Sequence, residues 1–233
     1  MLDALQITDL GCREFSAVRE LQARLVAGVR AGASPETLLL CSHPPVVTAG
    51  RSTTPAELAA ARLALDAAGI PLCACERGGR LTFHGPGQIV AYPILALRGA
   101  QRDLHAYLRA LEAAILATLA EYGLAGERHP GQAGVWVGAA KVASIGVAVR
   151  GWVTWHGLAL NLTGDLSGFG LIAPCGIPGQ PITSMTEAAG QEISRAEAQE
   201  RLAVYLCREL GREGTWQAAE EVISGIGVAL EST

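Results

Sequence analysis

Lys141 is the single lysine in a 233-residue chain whose Lys and Arg together number 18. A guanidinium keeps its proton near neutral pH, whereas a crowded or buried ammonium can release it and serve as a base. A lone lysine among arginines is therefore either a straggler of an arginine-rich composition or a position where proton exchange is needed. Its surroundings, Lys141-Val142-Ala143-Ser144-Ile145-Gly146, favour the second reading. They put the side chain at the opening of a strand, where a rigid scaffold presents a reactive group. Among the cysteines Cys175 stands apart, in the loop Ala173-Pro174-Cys175-Gly176-Ile177-Pro178, where a side chain is reachable between proline and glycine. Cys41, Cys73 and Cys207 stand in apolar strand or helix contexts and read as core thiols. Cys73-Ala74-Cys75 is spaced too closely for a zinc knuckle and no second cysteine pair exists, so no metal site is expected.

Two further stretches carry polar or small side chains in usable patterns. Arg77-Gly78-Gly79-Arg80-Leu81-Thr82-Phe83-His84-Gly85-Pro86-Gly87-Gln88 lets the backbone approach a ligand closely and take positive φ. It is neither a dinucleotide fingerprint nor a phosphate-binding P-loop, because G-x-G-x-x-G and Gly-Lys-Ser/Thr are both missing. It is too long and too polar for a turn alone, so a ligand loop is expected. In His156-Gly157-Leu158-Ala159-Leu160-Asn161, alternation predicts His156, Leu158 and Leu160 on one face and Gly157, Ala159 and Asn161 on the other. The small face could be a slot for an extended apolar chain; taken alone, close packing by a helix explains it better. His43, His105 and His129 each fit an ordinary surface or turn position.

The elements that must hold these residues alternate between helix and strand. Helices are expected from Ser16 to about Val29, from 55 to 68 with a stop at Gly69, and from Leu104 to Tyr122. The last of these has Asp103 as N-cap and a stripe of Leu104, Leu108, Leu111, Ile115 and Leu119. A further helix starts at Ser194 with Glu197 completing a capping box, and the tail from Gly214 holds one more weak helix. Strands are expected at Thr37–Cys41, Val46–Thr48, Ile70–Cys75, Ile89–Leu95, Gly134–Val137, Val142–Val149 and Thr154–Leu162. The fold class is α/β (α+β), a mixed sheet with helices packed outside. Half the residues are hydrophobic and 17% are charged, which fits a compact globule of one domain spanning 1–233. The net charge of −4 supplies no basic field for nucleic acid or an anionic membrane. No run of 18 apolar residues exists, the N-terminus lacks the pattern of a signal peptide, and the scattered cysteines suit a reducing compartment. A cytoplasmic location is expected.

Together, the Arg77–Gln88 stretch, the Lys141–Gly146 and His156–Asn161 strands, the Pro174-Cys175-Gly176 loop and the early His43-Pro44-Pro45 resemble the lipoyl(octanoyl) transferases. The resemblance runs from about His43 to Ser184, strongest over 43–184, while 212–233 is a variable tail. Position 80 is Arg where many members have Gln, and position 83 is Phe where Tyr is common. The resemblance implies an acyltransferase fold related to the catalytic domains of biotin and lipoate protein ligases, with a Cys175–Lys141 dyad as the catalytic pair. It places acyl-chain binding on Arg77, Gly78, Gly79, Arg80, Leu81, Thr82, Phe83 and His84, on Ser144, Ile145 and Gly146, and on Gly157, Leu158 and Ala159. The implied reaction moves an octanoyl group from octanoyl-acyl carrier protein to a lysine of lipoyl domains. These domains belong to 2-oxoacid dehydrogenase complexes and the glycine cleavage H protein. The group passes through a thioester on Cys175, and no cofactor is implied: the acyl group arrives on phosphopantetheine, with neither ATP nor metal. The other readings are an ATP-dependent lipoate or biotin ligase and a non-catalytic binder of acyl carrier protein or lipoyl domains. Oxyanion donors are sought among backbone N–H groups near Cys175 and the Gly78-Gly79 turn, or at His84.

Overall fold

The structure, a computed structural model, describes residues 3–172 and 179–226. A long sheet carries the site. Its strands are β1 (Asp3–Cys12), β2 (Thr37–Ser42), β6 (Gln88–Ile94), β7 (Gly126–Glu127), β8 (Gly134–Val137), β9 (Ala140–Arg150), β10 (Val153–Asn161) and β11 (Arg212–Trp216), in the order β11-β1-β2-β6-β10-β9-β8-β7. β1 runs parallel to both β11 and β2, and from β2 onward every neighbour is antiparallel. This is the mixed sheet expected of the sequence. A second sheet of β3 (Val46–Ala49), β4 (Leu72–Ala74) and β5 (Leu81–His84), ordered β4-β3-β5, stands beside it.

Helices cover both faces of the long sheet. α1 (Phe15–Ala31) buries Phe15, Val18, Leu21, Leu25 and Val26, one stripe at helical spacing, and stops where Gly32 turns left-handed at φ 69°. α3 (Leu104–Ala120) and α5 (Arg195–Glu209) pack the opposite face with Leu111, Ile115, Leu119, Leu202 and Leu206. Asp103 caps α3 by accepting from the N–H groups of His105 and Ala106, and Ser194 caps α5 by accepting from Glu197 N–H. Of the expected α3 stripe, Leu104 is exposed and Leu108 only half-buried, while Tyr107 in the same turn is buried in the core. α2 (Pro55–Ala68) has a full Thr54/Glu57 capping box and closes the small sheet with Ala61 and Leu65. α4 (Met185–Ala189) and α6 (Ala219–Ile226) complete the described helices.

Three features depart from the sequence expectation. β1 and β11 were not foreseen. β1 buries Leu5 and Ile7 on one face and Leu10 on the other, and β11 is a mostly exposed edge strand with no apolar face of its own. The second half of the presumed ligand loop, Leu81–His84, is a strand paired with β3. The β9–β10 hairpin turns through Gly151 at φ 59° and Trp152 at φ 62°. Positive φ at both central residues matches the right-handed strand twist, although Trp is an unusual choice for it.

Candidate active site

The two small-residue segments meet across one strand pair. In the β9–β10 register Gly146 faces Gly157, Ile145 faces Leu158 and Ser144 faces Ala159. Neither glycine has room for a side chain. A Cβ on Gly157 would lie 2.1 Å from Ala91 O, and one on Gly146 would lie 2.9 Å from Arg77 Cδ. Glycine at 146 thus lets the Arg77 limb lie directly on the sheet. Gly78 N–H donates to Val147 O at 2.8 Å, which pins the loop to β9. The result is a narrow cleft open to solvent. Arg77, Gly79, Arg80, Leu81, Thr82 and His84 line one side, Ser144, Ile145, Gly146, Gly157, Leu158 and Ala159 the other, with Lys141 in the same wall.

Two of the expected residues do not line it. Phe83 points the other way, as alternation along β5 requires, and packs edge-on against Phe169 at 5.5 Å in the core of the small sheet. Gly78 contributes backbone only: its N–H is taken by Val147, so it is not an oxyanion donor, and its carbonyl accepts from Arg77 Nη1. The expected face of His156, Leu158 and Leu160 is also broken. Leu158 and Leu160 sit in the core under α3 and α5. His156, held at φ 55°, instead stacks on its neighbour Trp155 at 4.5 Å and lines the cleft. Its N–H donates to the buried Gln22 Oε1 at 2.8 Å, a partner across the sheet from α1 that helps hold this uncommon backbone.

Behind the cleft lies a buried polar network. Arg77, buried, donates from Nε and Nη2 to Thr48 Oγ1 at 3.1 and 2.8 Å, and from Nη2 to Thr48 O at 2.7 Å. Asn161 Nδ2 donates to Thr183 O, which leaves its Oδ1 to accept from Gln88 Nε2 at 2.9 Å. Gln88 Oε1 is then an acceptor, so His84 Nδ1 carries the proton toward it at 3.2 Å, and His84 Nε2 accepts from the Thr48 hydroxyl at 3.4 Å. His84 has no donor left for an oxyanion. His43 is fixed in the same manner: Nδ1–H donates to Arg13 O at 2.7 Å and Nε2 accepts from Tyr92 Oη at 2.8 Å.

Burial holds all three imidazoles neutral. His43 and His156 are each pushed down to about 4, and His84 well below the ordinary value with His43 and Arg77 adding repulsion. For His156 the nearby Glu76 carboxylate, 3.5 Å away, opposes the shift without reversing it. Sequence reading placed His43 in an ordinary turn and did not single out Phe15 or Tyr92. His43 is fully buried, and Phe15 and Tyr92 line the cleft. The signal available was position: His43 directly follows a strand that is buried throughout.

Lys141 is 2% exposed. Its Nζ donates to Ala133 O at 3.1 Å and lies 4.7 Å from the centre of the Trp136 ring, a cation–π contact. Its backbone is clamped as well: Lys141 N–H donates to Pro181 O at 2.8 Å, and Lys141 O accepts from Thr183 N–H at 3.0 Å. Cys175 lies outside the described residues. The described chain resumes at 179 and reaches Lys141 two residues later, through Pro181. The core thiols are as expected at Cys41 and Cys207, which are buried, while Cys73 is only half-buried. Among the described residues no cluster of His, Cys, Asp or Glu is arranged to hold a metal ion, and no helix is long and apolar enough to cross a membrane.

The lipoyl protein ligase A/B catalytic domain family matches residues 17–207. An octanoyltransferase of Geobacter metallireducens is 47% identical over 199 residues, covering 85% of this chain and 90% of its own. Another, from Syntrophotalea carbinolica, is 45% identical over 94% of this chain and 99% of its own. Among solved structures, a lipoate-protein ligase A bound with ATP superposes with a TM-score of 0.73 at 16% identity, covering 97% of this chain and 93% of that one. A biotin protein ligase from Aquifex aeolicus in complex with biotin and ATP gives 0.55 at 14% identity, covering 89% and 70%. At such identities the structural likeness is one of fold.

Proposed function

Since the chain belongs to the lipoyl protein ligase A/B catalytic domain family, we propose that it is an octanoyltransferase of lipoate synthesis that moves an octanoyl group from octanoyl-acyl carrier protein to a lipoyl-domain lysine through a thioester on Cys175. The observation that carries this reading is the cleft itself. A slot floored by the paired Gly146 and Gly157 and by Ser144 and Ala159, with the Arg77 limb laid over it, has the single lysine of the chain in its wall. An extended saturated chain fits such a slot, and a buried amine beside it suits proton transfer. The octanoyltransferase relatives are above 40% identical, whereas the ATP-bound ligase fold is shared at 16%.

The reaction proceeds in two exchanges. The Cys175 thiolate attacks the thioester carbonyl, and the phosphopantetheine sulfur leaves and takes up the proton of the Lys141 ammonium, which becomes neutral. One thioester replaces another, so no activation by ATP is needed. The neutral amine of the acceptor lysine then attacks the acyl-cysteine. An amide bond forms, the Cys175–acyl bond breaks, and the proton shed by the incoming amine passes to neutral Lys141. Lys141 as an ammonium favours the Cys175 thiolate in the first step. Arginine could do the first of these tasks but not the second, which accounts for lysine at this one position.

The test is an intact-mass measurement after mixing with octanoyl-loaded carrier protein in the absence of ATP, alongside Cys175→Ser. The expected result is one octanoyl adduct on the wild type, labile to hydroxylamine and missing from the variant. No adduct without ATP, with acceptor modification once ATP and free octanoate are added, would instead place the chain with the ligases. Full acceptor modification by Cys175→Ser would overturn the covalent route.

A further inference from the structure

A single peptide unit beside Lys141 is held from both ends. Lys141 Nζ donates to the carbonyl of Ala133 at 3.1 Å. The N–H of the same peptide belongs to Gly134 and donates to Glu112 Oε1 at 3.4 Å. A trans peptide points its C=O and N–H in opposite directions. The Ala133–Gly134 peptide therefore lies between a carboxylate at its positive end and an ammonium at its negative end, each strengthening the other. Glu112 is 3% exposed on α3 and is not part of the cleft. Its second oxygen, Oε2, accepts from Arg109 Nη1 at 2.8 Å and Arg128 Nε at 3.0 Å, so the carboxylate is fixed on both oxygens. Gly134 itself must be glycine. It sits at φ +136°, and a Cβ there would come within 2.7 Å of Lys141 Cε and 3.1 Å of Nζ.

We propose that Glu112 is a positioning residue for Lys141, acting through the Ala133–Gly134 peptide. This rests on the reading that Lys141 works in the transfer. Glu112 touches neither the cleft nor Lys141. It orients the carbonyl that, together with the Trp136 ring, sets where the amine stands. A carboxylate suits the task because both its oxygens accept. Glutamine offers one acceptor, so its amide group must face either the arginines or the Gly134 N–H, donor against donor. Aspartate keeps the charge for the arginines but draws the carboxylate back by one carbon–carbon bond, loosening Gly134 while the ion pairs survive.

The experiment compares wild type, Lys141→Met, Glu112→Gln and Glu112→Asp. Octanoyl-carrier protein is mixed with each in a rapid quench, and intact mass gives the fraction of chains that become acylated. Turnover onto a lipoyl domain is then expressed per acylated chain. Misfolded chains drop out of that ratio, which a purely structural role would leave unchanged. Displacing a catalytic amine by about 1 Å can cost about a hundredfold in rate. We expect kcat per acylated chain to fall about tenfold to a hundredfold in Glu112→Gln. The KM for the lipoyl domain should stay near the wild-type value. Glu112→Asp should move in the same direction and is the variant to read if Glu112→Gln does not fold. Wild-type kcat per acylated chain in the folded Glu112 variants, with Lys141→Met inactive, overturns the proposal and leaves the role of Lys141 standing. Wild-type turnover in Lys141→Met overturns the role of Lys141, and the proposal with it.

Discussion

Acid should unfold this protein steeply, through three neutral imidazoles rather than through its carboxylates. His43, His84 and His156 are buried at or behind the cleft. Two of them are pushed down to about 4 and the third well below the ordinary value. In the unfolded chain each returns to about 6.5. Above that value neither state binds these protons and stability is at its full level. As the pH falls through 6.5 the unfolded chain takes them up and the native chain does not, so stability is lost progressively down to about 4. At pH 5.5 an unfolded imidazole is about 0.9 protonated and one with a value near 4 almost bare, so His43 and His156 give about 1.8 protons, or about 2.4 kcal/mol per pH unit, and His84 adds to the loss in the same direction. Across the interval from 6.5 to 4, His43 and His156 alone account for about 3 kcal/mol each, against about 5–15 kcal/mol of total stability in an ordinary domain. Glu57 and Glu76, held below their usual range by hydrogen bonds from Thr54 and Arg19, add a loss of the same sign, but only once the pH falls below about 4.5. The window from 5 to 6 therefore isolates the histidines. Urea unfolding at quarter-unit steps between pH 7.5 and 5 measures the slope. A slope below one proton across that window would refute the picture of three buried neutral imidazoles.

Three other perturbations test the frame around the cleft. Thr48→Val removes the acceptor of two Arg77 donors and the donor to His84 Nε2; losing one buried partner costs about 1–3 kcal/mol, so the KM for the acyl donor should rise about fivefold to a hundredfold. Glu36→Gln leaves Arg212, 4% exposed and bonded to Glu36 Oε2 at 2.7 Å, with only the exposed Asp3 carboxylate, 4.0 Å away, as counter-charge. A fall of about 3–5 kcal/mol in urea stability is expected. Gly157→Ala drives a Cβ to 2.1 Å from Ala91 O in the neighbouring strand. Because the obstacle is backbone, calorimetry should show a loss of about 1–3 kcal/mol or more, together with weaker binding of an octanoyl thioester.

What the sequence disclosed was whatever local chemistry dictates. The caps of α3 and α5 and the Gly69 stop were legible because Asp103, Ser194 and Gly69 act on backbone groups a few residues away, whereas the Thr54 capping box of α2 was not read. The strands at the core of the sheet were legible as continuous apolar runs. β11 was not, because its place comes from pairing with β1 about two hundred residues earlier in the chain and from the buried Arg212–Glu36 pair. The Gly146–Gly157 floor was only half legible. Each glycine was noticed, but that they face each other is a matter of register, set by the two-residue turn at Gly151 and Trp152. His156 misled by obeying alternation in sequence while its positive φ breaks it in space. Phe83 and His84 are neighbours that the Gly-rich stretch made look equivalent, yet the pleat sends one into the small core and the other to the cleft.

Glu112 is the clearest case of chemistry that no local pattern announces. In sequence it is one acidic residue on an amphipathic helix, where a solvated glutamate is the ordinary expectation. Its neighbours at the ion pair come from the same helix and from the loop after it, and its target peptide lies 22 positions away. Lys141, by contrast, was conspicuous by composition, and its setting explains why a conspicuous residue needs inconspicuous help. A lysine side chain has four rotatable carbon–carbon bonds and about 2 kcal/mol of rotamer entropy to lose. Fixing its end requires contacts that are themselves fixed. The Trp136 ring is stacked on His129 at 4.2 Å, the Ala133 carbonyl is tied to Glu112 through its own peptide, and the backbone is clamped by Pro181 and Thr183. Thr183 is in turn the carbonyl partner of Asn161, and through Gln88, His84 and Thr48 the same hydrogen-bond path ends on Arg77 in the opposite wall. On the proposed reading, the wall assigned to the acyl chain and the lysine assigned to its transfer are thus set by one rigid framework. That suits a reaction in which two successive acyl exchanges must share a single carbonyl position.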